Sequence, residues 1–556
     1  MTEHKVFVIG LDGATLDLIK PWASRGKLPH LTKIMENGSF GKLRSTIHPL
    51  TAPAWSSFMT GKNPGKHGIF DFVTFIPNSY EIRYNNGLSR RSPSLWRILS
   101  DAWKKVIVVN VPFTFPPEEV NGILISGLDT PSTESTFTYP PSLYKEIKDN
   151  VGEYVIMAQY KNSKGRNGYV SDIFHMIENR AATVQYLMGN YPWDFFMVVF
   201  NATDIVQHTF WKYMDPHHSQ YDANEAARYG NVILNVYQNI DEKIGHIMES
   251  LDEKTTLIIM SDHGAGPLKK AVYLNKWLEL QNLLRFSLKG NGAPVPSNLW
   301  KNLLGICKRN LPRSAKKIIT RFFPEIKAKV DSFLVTSHID WSHTKAFSCG
   351  VHGNIMINLM GRQPMGTVQP GQEYEELRSK IIARLSDLVD PETEERVVEK
   401  VYRREELYHG NFVHSAPDLL IQWKDYAYTA QQDYGEGVKS IFQSRNKFEF
   451  SEKEHNGSHR LDGIIMMHGK PIKAGTELKG SEIIDLAPTI LYLMGIDIPE
   501  DMDGKVLTSA LTNDFVDAHP ISYKETTQGD IQEPASTYTH DEAQKIEGRL
   551  KDLGYL

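Results

Sequence analysis

Short apolar runs rich in β-branched residues recur along the 556-residue chain, and each gives way to a polar or glycine-bearing loop. They are Val6 to Gly10, Val106 to Val109, Phe195 to Phe200, Thr256 to Met260 and Ile464 to Met467. Runs that do not alternate with polar residues predict strands buried on both faces, as in a parallel sheet. Between them lie stretches of helical length and periodicity: Pro53 to Met59, Ser94 to Lys104, Ser171 to Met188, Asn224 to Ser250 and Glu482 to Met494. This alternation predicts an α/β fold. Ligands of such sheets gather beyond the carboxyl ends of strands. Asp12, Asp204 and the pair Asp262-His263 each follow an apolar run at that position.

The pattern changes twice in the second half. Residues 285–340 are basic and broken by Pro312 and Pro324, which predicts a helical insert or lid. Residues 341–423 carry strand signals at Lys345 to Ser348 and Ile355 to Leu359 and a helix signal from Tyr374 to Val389, which predicts an α+β cap. Residues 1–284 and 424–525 are left as the core. Residues 526–556 read as a polar linker followed by a helix that Thr539-His-Asp-Glu opens as a capping box and Gly554 closes.

Composition narrows the partners. Net charge is −4 and hydrophobic content 41%, so no general basic field favours nucleic acid. The basic stretch 285–330 leaves two readings open, a solvated face or peripheral contact with an anionic membrane. Cys307 and Cys349 lack disulfide or zinc-finger spacing, and no apolar run reaches the ~18 residues of a membrane span. A cytoplasmic location is expected.

Seven positions carry the chemistry: Asp12, Thr51, Asp204, His208, Asp262, His263 and His459. Three carboxylates, three imidazoles and a hydroxyl suit two divalent ions about 3.5–4 Å apart. Asp204 and His208 stand four apart, one face of a helix. Thr51, before Pro53, is placed at a helix cap, where free backbone N–H groups favour an anionic oxygen. Taken singly each has a plainer reading: a surface pair, a turn, an ordinary cap. His352, His414 and His455 compete with His459. Asn110 reaches either a ligand or its own backbone, and Lys269 and Lys270 are expected in solvent.

The helix Thr51-Ala-Pro, continuing into Thr60-Gly-Lys-Asn-Pro-Gly-Lys-His-Gly-Ile69, resembles the alkaline phosphatase superfamily in its type I phosphodiesterase and nucleotide pyrophosphatase branch. Ser261-Asp-His-Gly264 and the late Gly457-Ser-His459 carry the same resemblance. It implies a three-layer α/β sandwich with a mostly parallel central sheet and inserted cap regions. It also implies a small phosphorylated substrate and a Thr51 nucleophile that forms a phospho-threonyl intermediate. Asp204, His208 and His459 would hold one ion; Asp12, Asp262 and His263 would hold the other, shared with Thr51. Zinc is the expected metal, and manganese or iron would accept the same ligands. His67, in the His-Gly-Ile turn, reads as structural. Where the branch has an asparagine about twenty residues after its threonine, this chain has Asp71-Phe72. Transfer of the phosphoryl group to an alcohol other than water and a silent anion-binding module are the alternatives to hydrolysis. No oligomeric state follows from the sequence.

Overall fold

The apolar runs become strands with almost every side chain buried. In the computed structural model, which describes residues 4–160, 163–286, 339–431, 440–444, 455–526 and 538–555, these five strands and four others form one sheet. Its order is Thr476–Glu482, Ser39–Arg44, Asp462–His468, Thr255–Met260, Lys5–Leu11, Phe195–Phe200, Val106–Val111, Gly122–Ser126 and Thr138–Tyr139. The run from Thr255–Met260 to Gly122–Ser126 is parallel throughout.

Alternation along each strand assigns side chains to the two faces. Phe7 and Ile9 pack with Ile19, Trp22, Leu31, Ile34 and Ile240 on one face. Val6 and Val8 pack with Trp55, Phe58, Trp96, Leu486 and Leu491 on the other. Helices on both sides make the three-layer sandwich that the sequence implies.

Several elements differ in detail from expectation. The strand at Ile464 to Met467 spans Asp462–His468 and runs antiparallel to both neighbours; an apolar run encodes burial on two faces, not direction. Asn224 to Ser250 divides into helices Ala223–Tyr229 and Val232–Glu249, with Gly230 between them. Thr51 is the first residue of helix Thr51–Thr60, and Leu50 takes the cap position without a side-chain bond. The Thr51 hydroxyl is therefore free of the capping duty expected of it.

Residues 341–423 include a four-stranded antiparallel sheet, ordered Ala346–Cys349, Asn354–Ile357, Leu419–Trp423 and Val398–Arg403. Helix Gln372–Ser386 covers it, and Phe347, Ile355, Ile381, Leu419 and Trp423 share an apolar cluster. The expected basic lid falls almost wholly within 287–338, outside the described residues. Helix His540–Leu553 has the expected capping box, with Thr539 and Glu542 bonded reciprocally, and sets Ile546, Leu550 and Leu553 into the core. Among the described residues no helix is long and apolar enough to cross a membrane.

Candidate metal centre

In-register parallel pairing puts three strand exits side by side. Leu11 lies opposite Phe200, and Gly10 opposite Met260. Asp12, Asp262-His263 and the helix Ala202–Met214, which carries Asp204 and His208 one turn apart, therefore open at one edge of the sheet. The antiparallel strand Asp462–His468 begins at that edge. A short ribbon pairs Gly264–Pro267 with Gly457–Arg460, setting His459 opposite Ala265. Gly457 allows this approach: a Cβ there would lie 2.3 Å from the carbonyl oxygen of Gln207.

Two clusters result, Asp204 with His208 and His459, and Asp12 with Asp262 and His263; in each, one ligand atom from every residue lies within 4.8 Å of the others. In the first, His208 Nε2 is 3.1 Å and His459 Nε2 is 3.5 Å from Asp204 Oδ1, and the two Nε2 atoms are 2.9 Å apart. In the second, His263 Nε2 is 3.5 Å from Asp12 Oδ1 and 3.3 Å from Asp262 Oδ2. The rings of His263 and His459 stack at 3.6 Å, so the clusters share a wall.

The chemistry of these donors fits metal ions. The Nδ1 atoms lie 3.0 Å from Gly457 O for His208, 2.7 Å from Pro49 O for His459 and 3.0 Å from Gly264 O for His263. A carbonyl only accepts, so each Nδ1 carries a hydrogen and each ring turns Nε2 inward, the atom a metal ion would take. Asp12 Oδ1, Asp262 Oδ2 and His263 Nε2 are buried without a hydrogen-bond partner. Buried acceptors facing one another call for a proton or a cation between them, and carboxylates beside an imidazole suit a metal ion.

The buried carboxyls are shifted in opposite directions. Burial, with Asp262 and Asp204 nearby, holds the Asp12 carboxyl well above its usual range. Burial and Asp204 push Asp262 up to about 8. Burial pushes Asp204 the same way, yet His208 and His459 outweigh it and hold that carboxyl well below its usual range. Burial, followed by His459, drives the His263 imidazole well down.

Thr51 is buried beside the first cluster. Its hydroxyl lies 3.2 Å from the phenolic oxygen of Tyr555, which is 3.3 Å from Asp204 Oδ2. No sequence signal marks Tyr555. Asn201 is a second residue missed: its Nδ2 donates to Asp12 Oδ2 at 3.1 Å. Asn110 is wholly buried and gives its Nδ2 to Val199 O and Asn201 Oδ1, so it meets Asp12 only through Asn201.

Of the competing histidines, His352 and His455 stand just outside the clusters, the His455 ring 5.4 Å from that of His208, and neither belongs to either ligand group. His414 is exposed, His455 Nε2 lies 3.1 Å from Asp552 O, and the His352 ring is 5.9 Å from His459. His67 is structural, with Nε2 2.9 Å from Ser57 Oγ and Nδ1 accepting from Ile69 N–H. Lys270, expected in solvent, is buried against Asp390 at 2.8 Å and Glu392 at 2.6 Å; Lys269 is exposed.

An α/β sandwich with acid–imidazole clusters at its strand exits has the fold of the alkaline-phosphatase-like hydrolases. The chain belongs to the type I phosphodiesterase/nucleotide pyrophosphatase family, whose profile matches residues 6–462, and it is a hydrolase acting on phosphoric ester bonds. Among solved structures, phosphonoacetate hydrolase from Sinorhizobium meliloti 1021, in complex with phosphonoformate, is similar with TM-score 0.53 and 15% identity, over 89% of this chain and 95% of its own. Human ectonucleotide pyrophosphatase/phosphodiesterase 5 aligns over 91% of this chain and 98% of its own, with TM-score 0.49 and 13% identity. A search of curated proteins gave no match.

Proposed function

We propose that the chain hydrolyses phosphodiesters or pyrophosphate-like esters of small molecules, with Thr51 as nucleophile and two divalent ions, zinc first among them, as cofactors. The observation that supports this most is the trio of histidines whose Nδ1 atoms are committed to carbonyls, leaving three Nε2 atoms and three carboxylates in two clusters.

Asp204, His208 and His459 would hold one ion, and Asp12, Asp262 and His263 the other. Bound there, the ions supply positive charge against the phosphoryl oxygens and lower the proton affinity of Thr51 and of water. The chain's own residues do the rest. The helix Thr51–Thr60 aims Oγ1 from its first turn, where backbone N–H groups have no intrahelical partner and can receive a phosphoryl oxygen. Oγ1 attacks phosphorus as the ester P–O bond breaks, and the leaving oxygen takes the electron pair and then a proton. Water next attacks the phospho-threonyl group, the P–Oγ1 bond breaks, and Thr51 regains its proton. Asn201 steadies the Asp12 carboxylate throughout.

The test is Thr51→Ala and Thr51→Ser on an aryl phosphodiester, with metal content measured alongside. Alanine is expected to lower kcat by at least about a thousandfold with metal retained, and serine to keep part of the activity. Wild-type turnover by the alanine variant would refute the covalent role. Phosphorus NMR of the products with an added alcohol separates transfer from hydrolysis.

A further inference from the structure

Tyr555 is held in the site by a built seat. Arg549, buried, donates to the carbonyls of Leu128, Thr130 and Pro131, and Tyr538 Oη donates to Asp129 O at 2.7 Å. Between them, helix His540–Leu553 is anchored to the loop after strand Gly122–Ser126. From its end the chain turns inward, and the Tyr555 ring stacks on Phe72 with centroids 4.6 Å apart and planes at 19°. The phenolic oxygen then bridges Thr51 Oγ1 and Asp204 Oδ2. A group transferred to Thr51 and held by the Asp204 cluster must lie between those atoms, so its oxygens come within reach of this phenol.

We infer that Tyr555 is a substrate-binding residue, its phenol donating a hydrogen bond to a non-bridging oxygen of the phosphoryl group transferred to Thr51. Phe72 positions it by stacking. This explains why an apolar ring stands beside Asp71 in a site that binds an anion: Phe72 carries no donor and holds a side chain that does. The inference rests on the Thr51 reading proposed above.

The experiment uses the full-length, metal-loaded chain with Tyr555→Phe, which keeps the ring on Phe72 and removes only the hydroxyl. A hydrogen bond to a charged oxygen predicts a fall in kcat/KM for bis(p-nitrophenyl) phosphate of about 10–100-fold. Inhibition by inorganic phosphate should weaken by a similar factor, with metal content and Tm unchanged. Turnover and phosphate inhibition both within twofold of wild type would overturn the inference. Faster turnover would also overturn it, marking Tyr555 as a plug. If the variant loses metal or stability, a crystal structure of the wild-type protein with inorganic phosphate decides: Tyr555 Oη within about 3.2 Å of a phosphate oxygen supports the inference, and beyond 4 Å it fails. Thr51→Ala separates the two readings, because retained turnover there combined with lost phosphate affinity in Tyr555→Phe refutes the nucleophile and leaves the phenol's role standing.

Discussion

A histidine in this protein is defined by what its Nδ1 meets. His208, His459 and His263 face carbonyls and present their Nε2 atoms to the clusters, whereas in His67 Nδ1 accepts from a backbone N–H. Sequence motifs point to these different roles, but the tautomers behind them depend on carbonyls as remote as Pro49. Burial also has a measurable consequence. It holds His67 down to about 3 and His48 down to about 4, while the unfolded chain titrates near 6.5. Both folded values lie below the unfolded one, so this contribution to stability is complete above pH 6.5 and is lost as pH falls, down to about 4 for His48 and about 3 for His67. The unfolded chain takes up protons there that the folded protein refuses, at up to about 1.4 kcal/mol per pH unit for each ring. His67→Asn keeps an acceptor for the Ile69 N–H. It should melt lower at pH 8, but its Tm should fall less steeply between pH 6.5 and 4 in scanning calorimetry. A slope equal to wild type would mean that His67 is not buried neutral.

The elements matter through how closely they approach. Helix Thr51–Thr60 lies against the sheet because strand Lys5–Leu11 offers Gly10 beneath it. A Cβ there would come 2.6 Å from Trp55 Cη2 and 2.9 Å from Val199 Cγ2. Gly10→Ala must push the helix outward, with an overpacking cost of about 1–3 kcal/mol. Since that helix carries Thr51, kcat should fall more than KM rises; a variant that loses stability yet keeps kcat would show that helix placement and catalysis are uncoupled. Element type and extent were largely legible, since continuous apolar runs and capping signals are local. Direction was not. His459 precedes its strand while Asp12 and Asp262 follow theirs, and only the antiparallel course of Asp462–His468 brings all three to one edge.

At the scale of the whole molecule, the two clusters tie together four strand ends, the helix Ala202–Met214 and the ribbon that bears His459. On the two-ion reading, removing the ions takes away the positive charge that the buried carboxyls of Asp12 and Asp262 were paired with. Chelation is therefore expected to abolish turnover and lower Tm, with zinc restoring both at two ions per chain. Bound at a thousandfold excess over Kd, each ion would contribute about 4 kcal/mol. Unchanged melting and turnover after verified metal removal would sink the two-ion reading. Taken by itself, the sequence determined the α/β class, the strand exits and the seven candidate residues, because hydrophobic periodicity and short motifs are written in neighbouring positions. Only the tertiary structure decided that Thr51 starts its helix without capping it, that Asn110 serves through Asn201, that Lys270 is buried, and that Tyr555 reaches Thr51. Each of these depends on a partner far away in the chain, and contacts of that kind leave no local pattern to read.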